Sequence, residues 1–117
     1  MDKRKLLRHV SKVIDQMGTP KVYSPNRLKP KWKALSKDSD RFKLFLDYIN
    51  NPKPSIGFEK LVLNNYCHKT LEAILIEHPE FQVFMKSKYS IINCVNKFKK
   101  YENGFDYLRA KGIETSD

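Results

Sequence analysis

Residues 64–77 read NNYCHKTLEAILIE, and HPEF follows at 78–81. A polar cluster precedes Leu71, Ile74 and Leu75, which share one helical face, and Pro79 ends the run. The stretch reads in two ways: a helix docked in a small core, or the recognition helix of a DNA-binding motif. Its upstream neighbours frame the choice. Phe42, Phe45, Leu46 and Ile49 form a helical stripe to about Asn50, which Ser39 or Asp40 can cap. NNPKPS at 50–55 breaks the chain, and Ser55 then precedes a short helix over about 56–63 with Ile56, Phe58, Leu61, Val62 and Leu63. Asn64 and Asn65 tolerate left-handed backbone and can end it. Helix, short helix, polar turn and a helix from near His68 is the tri-helical layout of helix-turn-helix domains.

The flanks are also helical. Leu6, Leu7, Val10, Val13, Ile14 and Met17 recur at steps of three and four, so 3–17 is an amphipathic helix with Gly18 as a C-cap. Pro20, Pro25 and Pro30 are expected to exclude a regular helix over 18–40, a long basic connection of a kind often used for function. Pro30 starts a short helical turn through Leu35, and Trp32 is expected to anchor it in the core. Pro79 opens a new turn with Phe81, Phe84 and Met85. Tyr89, Ile92, Val95 and Phe98 mark a last long helix over about 88–101. Asn103-Gly104 is expected to break it, with Phe105 and Leu108 docking a short C-terminal helix and ETSD fraying. No period-two alternation persists. The expected fold is all-α: one compact multi-helix domain with a basic helix and proline-rich arm (1–37), a helix-turn-helix-like centre (38–86), C-terminal helices (87–112) and a tail (113–117).

Charge bounds the partner. The 117 residues carry a net charge of +10. Residues 1–37 hold 11 basic and 2 acidic residues, whereas 38–80 hold 5 and 7. Each phosphate neutralised by Lys or Arg releases a counterion, so such a balance favours a polyanion. The positive field comes from the flanks and not from the central motif. The start at Met1 is charged, with no apolar leader, and predicts a complete small gene product. No stretch approaches the roughly 20 apolar residues of a membrane span. A cytoplasmic protein with reduced Cys67 and Cys94 is expected.

No catalytic pattern appears: no Gly-rich phosphate loop, no HExxH and no GxSxG. His9, His68 and His78 with Cys67 and Cys94 match no zinc spacing, so neither metal nor cofactor is expected. The helix at 3–17 is basic and amphipathic, but it lacks the aromatic residues that membrane-surface helices use.

A resemblance carries the functional expectation further. The run FEKLVLNNYCHKTLEAILIEHPEF resembles the helix-turn-helix segment of phage small terminase subunits and related phage regulators. Asn65-Tyr66-Cys67 stands at the turn, His68-Lys69-Thr70 at the helix start, and Pro79-Glu80-Phe81 after it. The resemblance covers about 40 residues and implies a non-enzymatic DNA-binding protein of regulatory or packaging type, acting in a bacterial host cytoplasm. Asn65, His68, Lys69 and Thr70 would then read bases. Lys3, Arg4, Lys5, Arg8, Lys12, Arg27, Lys29, Lys31, Lys33, Lys97, Lys99 and Lys100 would contact phosphate and fix the register. Glu72, one turn into the reading helix, would face away from phosphate or accept from a cytosine amino group. The alternative is a protein-interaction module that binds an acidic host or viral protein. A homo-oligomer fits either reading.

Overall fold

The first helix, α1 (Lys3–Gln16), is capped by Asp2, whose carboxylate accepts from the backbone N–H of Arg4. It buries Leu6, Leu7, Val10 and Ile14, the stripe that its spacing predicts. In this computed structural model residues 2–115 are described; Met1 and the tail residues Ser116 and Asp117 lie outside that range.

The proline-rich arm turns sharply at Lys21, a left-handed residue with φ of 60°. It then enters α2 (Leu28–Ala34). Pro30 is accommodated in the first turn of α2, where a backbone N–H would have no intrahelical acceptor. Leu28 and Trp32, one turn apart, face inward, and the Trp32 indole N–H donates to Ser11 Oγ on α1 at 2.9 Å. Trp32 is therefore the core anchor that the sequence suggests.

Helix α3 (Asp38–Asn50) buries Phe42, Leu44, Phe45 and Ile49. Asp38 and Asp40 both sit in its first turn, where carboxylates oppose the helix dipole favourably. The cap position falls to Lys37, without a side-chain bond, and not to Ser39 or Asp40. Helix α4 (Ile56–Leu63) starts as expected, with Ser55 Oγ accepting from Phe58 N–H. Its end is a paired C-terminal motif: Asn65 N–H bonds Val62 O, Tyr66 N–H bonds Leu61 O, and Asn65 is left-handed at φ 66°.

A 3-10 turn at Cys67–Lys69 separates α4 from α5 (Leu71–Glu77). A second 3-10 segment, Pro79–Phe84, leads to α6 (Tyr89–Phe98) and α7 (Glu102–Ala110). The chain is all-α, with no strand among the described residues. Helix α5 packs against α1, α3 and α6, and α1 and α6 lie on different sides of the α3–α5 pair.

The break expected at Asn103-Gly104 falls earlier, at residues 99–101. Asn103 and Gly104 instead belong to the first turn of α7. Gly104 permits a close helix approach: a Cβ there would lie 1.9 Å from the Phe98 carbonyl oxygen. Asn103 Nδ2 donates to the carbonyls of Val62 and Leu63, satisfying the exposed end of α4.

Candidate nucleic-acid interface

The expected reading helix is the most enclosed element of the protein. Every residue from Leu71 to Ile76 is buried. The burial of Leu71, Ile74 and Leu75 is that of the expected core face, and Glu72, Ala73 and Ile76 are buried beside them. The helix also starts three residues later than expected. The break has a local cause in Thr70, whose hydroxyl donates to Cys67 O at 2.8 Å and accepts from Ala73 N–H at 3.1 Å. Thr70 is 1% exposed and both hydrogen-bonding roles are used. It is a helix cap, not a base reader. Of the other predicted readers, Asn65 and His68 are exposed and Lys69 is partly so. They belong to the turn and the 3-10 segment.

These three residues are also separated from the basic end of α1. His9 of α1 stacks on His78, just past the C-terminus of α5, with ring centroids 4.3 Å apart. Met17, beyond the other end of α1, lines a cavity with Thr70 and Leu71. The two helices are therefore antiparallel. Lys3, Arg4, Lys5 and Arg8 precede His9 and so lie toward the end of α1 remote from the start of α5, where Asn65 and His68 stand.

Lys97 is the second correction. Predicted to contact phosphate, it is 1% exposed. Its ammonium donates to Glu72 Oε2 at 2.6 Å and to Tyr48 O at 2.9 Å. Glu72, predicted to meet DNA or turn from it, is the partner of that buried ion pair. Burying a charge is costly unless it is paired and hydrogen-bonded, and each residue supplies the other's compensation. Lys99 is partly buried and Lys100 exposed, both at the junction of α6 and α7. That junction lies across the α3–α5 pair from α1.

What is left is a coherent basic surface on α1 and α2. Lys5, Arg8 and Lys12 are exposed on the side of α1 opposite its apolar stripe. None of the three has a carboxylate within ion-pairing distance among the described residues. Arg4 pairs with Asp2 at 3.1 Å, and Lys29 of α2 reaches Asp15 of α1 at 3.8 Å. Exposed pairs of this kind are weak, being screened by water and salt, and leave the cations available. The Trp32–Ser11 bond docks α2 beside that face. Lys29 and Lys33 line an open groove between α2 and the end of α1, while Lys31 turns toward α3. Arg27 edges a neighbouring groove with Tyr23 and Tyr48.

One residue escaped the sequence reading. Arg41 lies in the stretch that is acidic overall, yet its guanidinium carbon stands 5.5 Å over the Trp32 ring. Its Nε is buried and makes no hydrogen bond among the described residues. Lys3 similarly lies 4.3 Å over Phe42. Both place positive charge where the N-terminal ends of α1 and α3 meet α2. No local pattern announces this, because the aromatic partners are 9 and 39 residues away in sequence.

The remaining reactive side chains are held quiet. Burial pushes the Cys67 thiol up to about 11 and raises the Cys94 thiol further. Burial lowers the His9 imidazole, and the neighbouring His78 and Lys12 add to that. Tyr107 donates to Glu77 Oε2 at 2.6 Å, and burial with that bond keeps its phenol protonated. Among the described residues no group of three or more His, Cys, Asp or Glu is placed to hold a metal ion, and no helix is long and apolar enough to cross a membrane. The chain matches no family model, and no curated protein or solved structure is significantly similar to it.

Proposed function

We propose that the protein is a non-enzymatic nucleic-acid-binding protein that engages phosphates through α1 and α2, and not through an inserted α5. The observation that carries this is the exposed cationic set Lys5, Arg8 and Lys12, unpaired among the described residues and flanked by Lys29 and Lys33. A face of this kind neutralises phosphates and releases counterions without reading sequence. The regulatory or packaging role implied by the resemblance to phage proteins is part of the same proposal. It depends on this face and no longer on a recognition helix.

A salt titration tests the reading. Binding to duplex and single-stranded DNA, followed by fluorescence anisotropy, should weaken steeply with salt, with a logarithmic slope of about −0.9 per duplex phosphate neutralised. Removing Arg8 and Lys12 together should flatten the slope by roughly 1 for each phosphate that is no longer neutralised. Absence of binding to either nucleic acid at about 50 mM salt would defeat the proposal.

A second reading has its own support. Val83 and Tyr89 are 73% and 65% exposed, and Ile92 of α6 is also exposed. Tyr89 and Ile92 stand about one turn apart on α6, and exposed apolar side chains that share a helix face suit a protein partner. In that reading the basic face steers an acidic protein, and binding depends on Tyr89 as well as on salt.

A further inference from the structure

Where α6 begins beside the end of α3, the surface opens into a cavity of about 240 Å³. Leu46 and Asn50 border it from α3, and Lys86, Tyr89, Ser90 and Asn93 border it from the other side. Its polar side chains are largely committed to joining the two helices. Ser90 Oγ donates to Asn50 Oδ1 at 2.6 Å, and Asn93 Nδ2 donates to the Asn50 carbonyl at 3.1 Å. The walls are therefore set by the fold, and they offer a visitor chiefly apolar surface. Tyr89 is exposed, and Ile92 stands about one turn further along α6. The volume is below the usual range of small-molecule pockets, and suits one anchoring side chain.

The charge around this cleft has one sign. No acidic residue lies between Glu80 and Glu102. Lys86 borders the cavity and Lys88 immediately precedes Tyr89; both are exposed. Lys43 lies three residues before Leu46 and seven before Asn50, hence on the same face of α3, and is exposed too. None of these three ammonium groups has a carboxylate within ion-pairing distance among the described residues. Asp47, next to Leu46 in sequence, borders a different cavity with Lys31 and Lys53. An apolar cleft flanked by unpaired cations complements a partner that carries a large apolar side chain among carboxylates. Tyr89 is the one aromatic ring bordering the cavity, whereas clefts for single-stranded nucleic acid stack successive bases on several.

We propose that the α3–α6 cleft docks an acidic peptide segment of a protein partner. One large apolar side chain enters against Leu46 and Tyr89, and flanking carboxylates meet Lys43, Lys86 and Lys88. The proposal rests on the second reading above, to which it adds the partner's chemistry and a set of cations apart from those of α1. Helix α6 packs on α3 and α5 across from α1, so the two basic surfaces are separate.

The probe is a short fluorescein-labelled peptide of Glu and Ser with one central Leu, its binding to the full chain followed by fluorescence anisotropy. Tyr89→Ala should weaken binding about tenfold, the scale of a central anchor contact, with the melting temperature unchanged. Lys86→Gln with Lys88→Gln should weaken it less and reduce its salt dependence. Amide chemical shifts should move around Leu46, Ser90 and Asn93. A peptide with Ala at its centre, or with Gln for every Glu, should bind more weakly than the parent peptide. Equal binding of either control overturns the proposal. Binding that needs Tyr89 and the Arg8–Lys12 pair, but not Lys86 and Lys88, also overturns it and leaves the second reading with α1 as the source of cations. No binding of any peptide overturns both. Oligonucleotide binding that falls with Tyr89→Ala would assign the cleft to nucleic acid. Self-association lost with the same change would assign it to a second copy of this chain. Either result overturns the peptide assignment.

Discussion

Helices α1 and α5 are antiparallel neighbours with opposite relations to water. α1 is long and one-sided: its stripe enters the core and its cations face out. α5 has seven residues, of which Leu71 to Ile76 are all buried, including a carboxylate. The sequence of α5 looks more like a DNA reader than that of α1, with a polar turn ahead and a Lys-Thr step at its start. In the folded chain solvent contact falls the other way round. A polar residue at a helix start serves the chain's own N–H groups first, as Thr70 does, and a ligand only when those are satisfied.

The comparison can be broken most sharply at Glu72. Its replacement by Ala leaves Lys97 buried and unpaired, and should cost about 3–5 kcal/mol. A urea melt reads this directly, and a loss below about 1 kcal/mol would mean that α5 is not enclosed. Replacing the pair together by Leu and Met should recover most of that loss. Next comes the cap. Thr70→Ala should cost about 1 kcal/mol in the same melt, and nucleic-acid affinity should not change once the protein is folded. A selective loss of sequence preference instead would restore the reading role at the start of α5. On α1 the expected pattern is reversed. Arg8→Ala with Lys12→Ala should stay within about 0.5 kcal/mol of the parent, while the salt dependence of DNA binding falls.

The smallest effect is a pH dependence at the contact between α1 and the end of α5. His9 is lowered from its ordinary 6.5 in the folded chain. Below pH 6.5 the unfolded chain takes up this proton first, so stability falls with pH until the folded His9 is also protonated. Above that pH its contribution is complete. Lys5, Lys12 and His78 oppose the charged form, and Glu80 favours it. Thermal melts at pH 7.5 and 5.5 should show a smaller acid loss for His9→Gln than for the parent. An identical loss would place the acid sensitivity elsewhere.

Much of the fold was legible because it depends on local periodicity. The α1 stripe, the Ser55 cap and the left-handed Asn65 each need only neighbours within a turn or two. The burial of α5 was not legible in this way. Leu71, Ile74 and Leu75 define one apolar face, but Ala73 is small enough to pack on another. Glu72 is buried only because Lys97, 25 residues later, reaches it. The same distance hid Lys97, which reads as one more surface cation in a basic run. The position of α7 turned on Gly104, which reads as a breaker until Phe98 is seen against it. The basic face was legible as composition. Its geometry, and the place of Arg41 over Trp32, required the packing of α2 and α3.

The seating of the arm on α4 has a consequence for how this molecule can vary. The Tyr23 ring occupies the place that a side chain at position 57 would take, with its Cζ atom 2.5 Å from where a Cβ would lie. The arm is thus seated by a missing side chain, with no hydrogen bond between residues 18–27 and α4 among the described residues. A methyl group at Gly57 pushes against the free end of a phenol, which can swing, and not against backbone as at Gly104. One wall of the groove holding Tyr23, Tyr48 and Arg27 can therefore be reset by a single small substitution while the helical core keeps its shape. The width of that groove and the stability of the fold are separately adjustable properties.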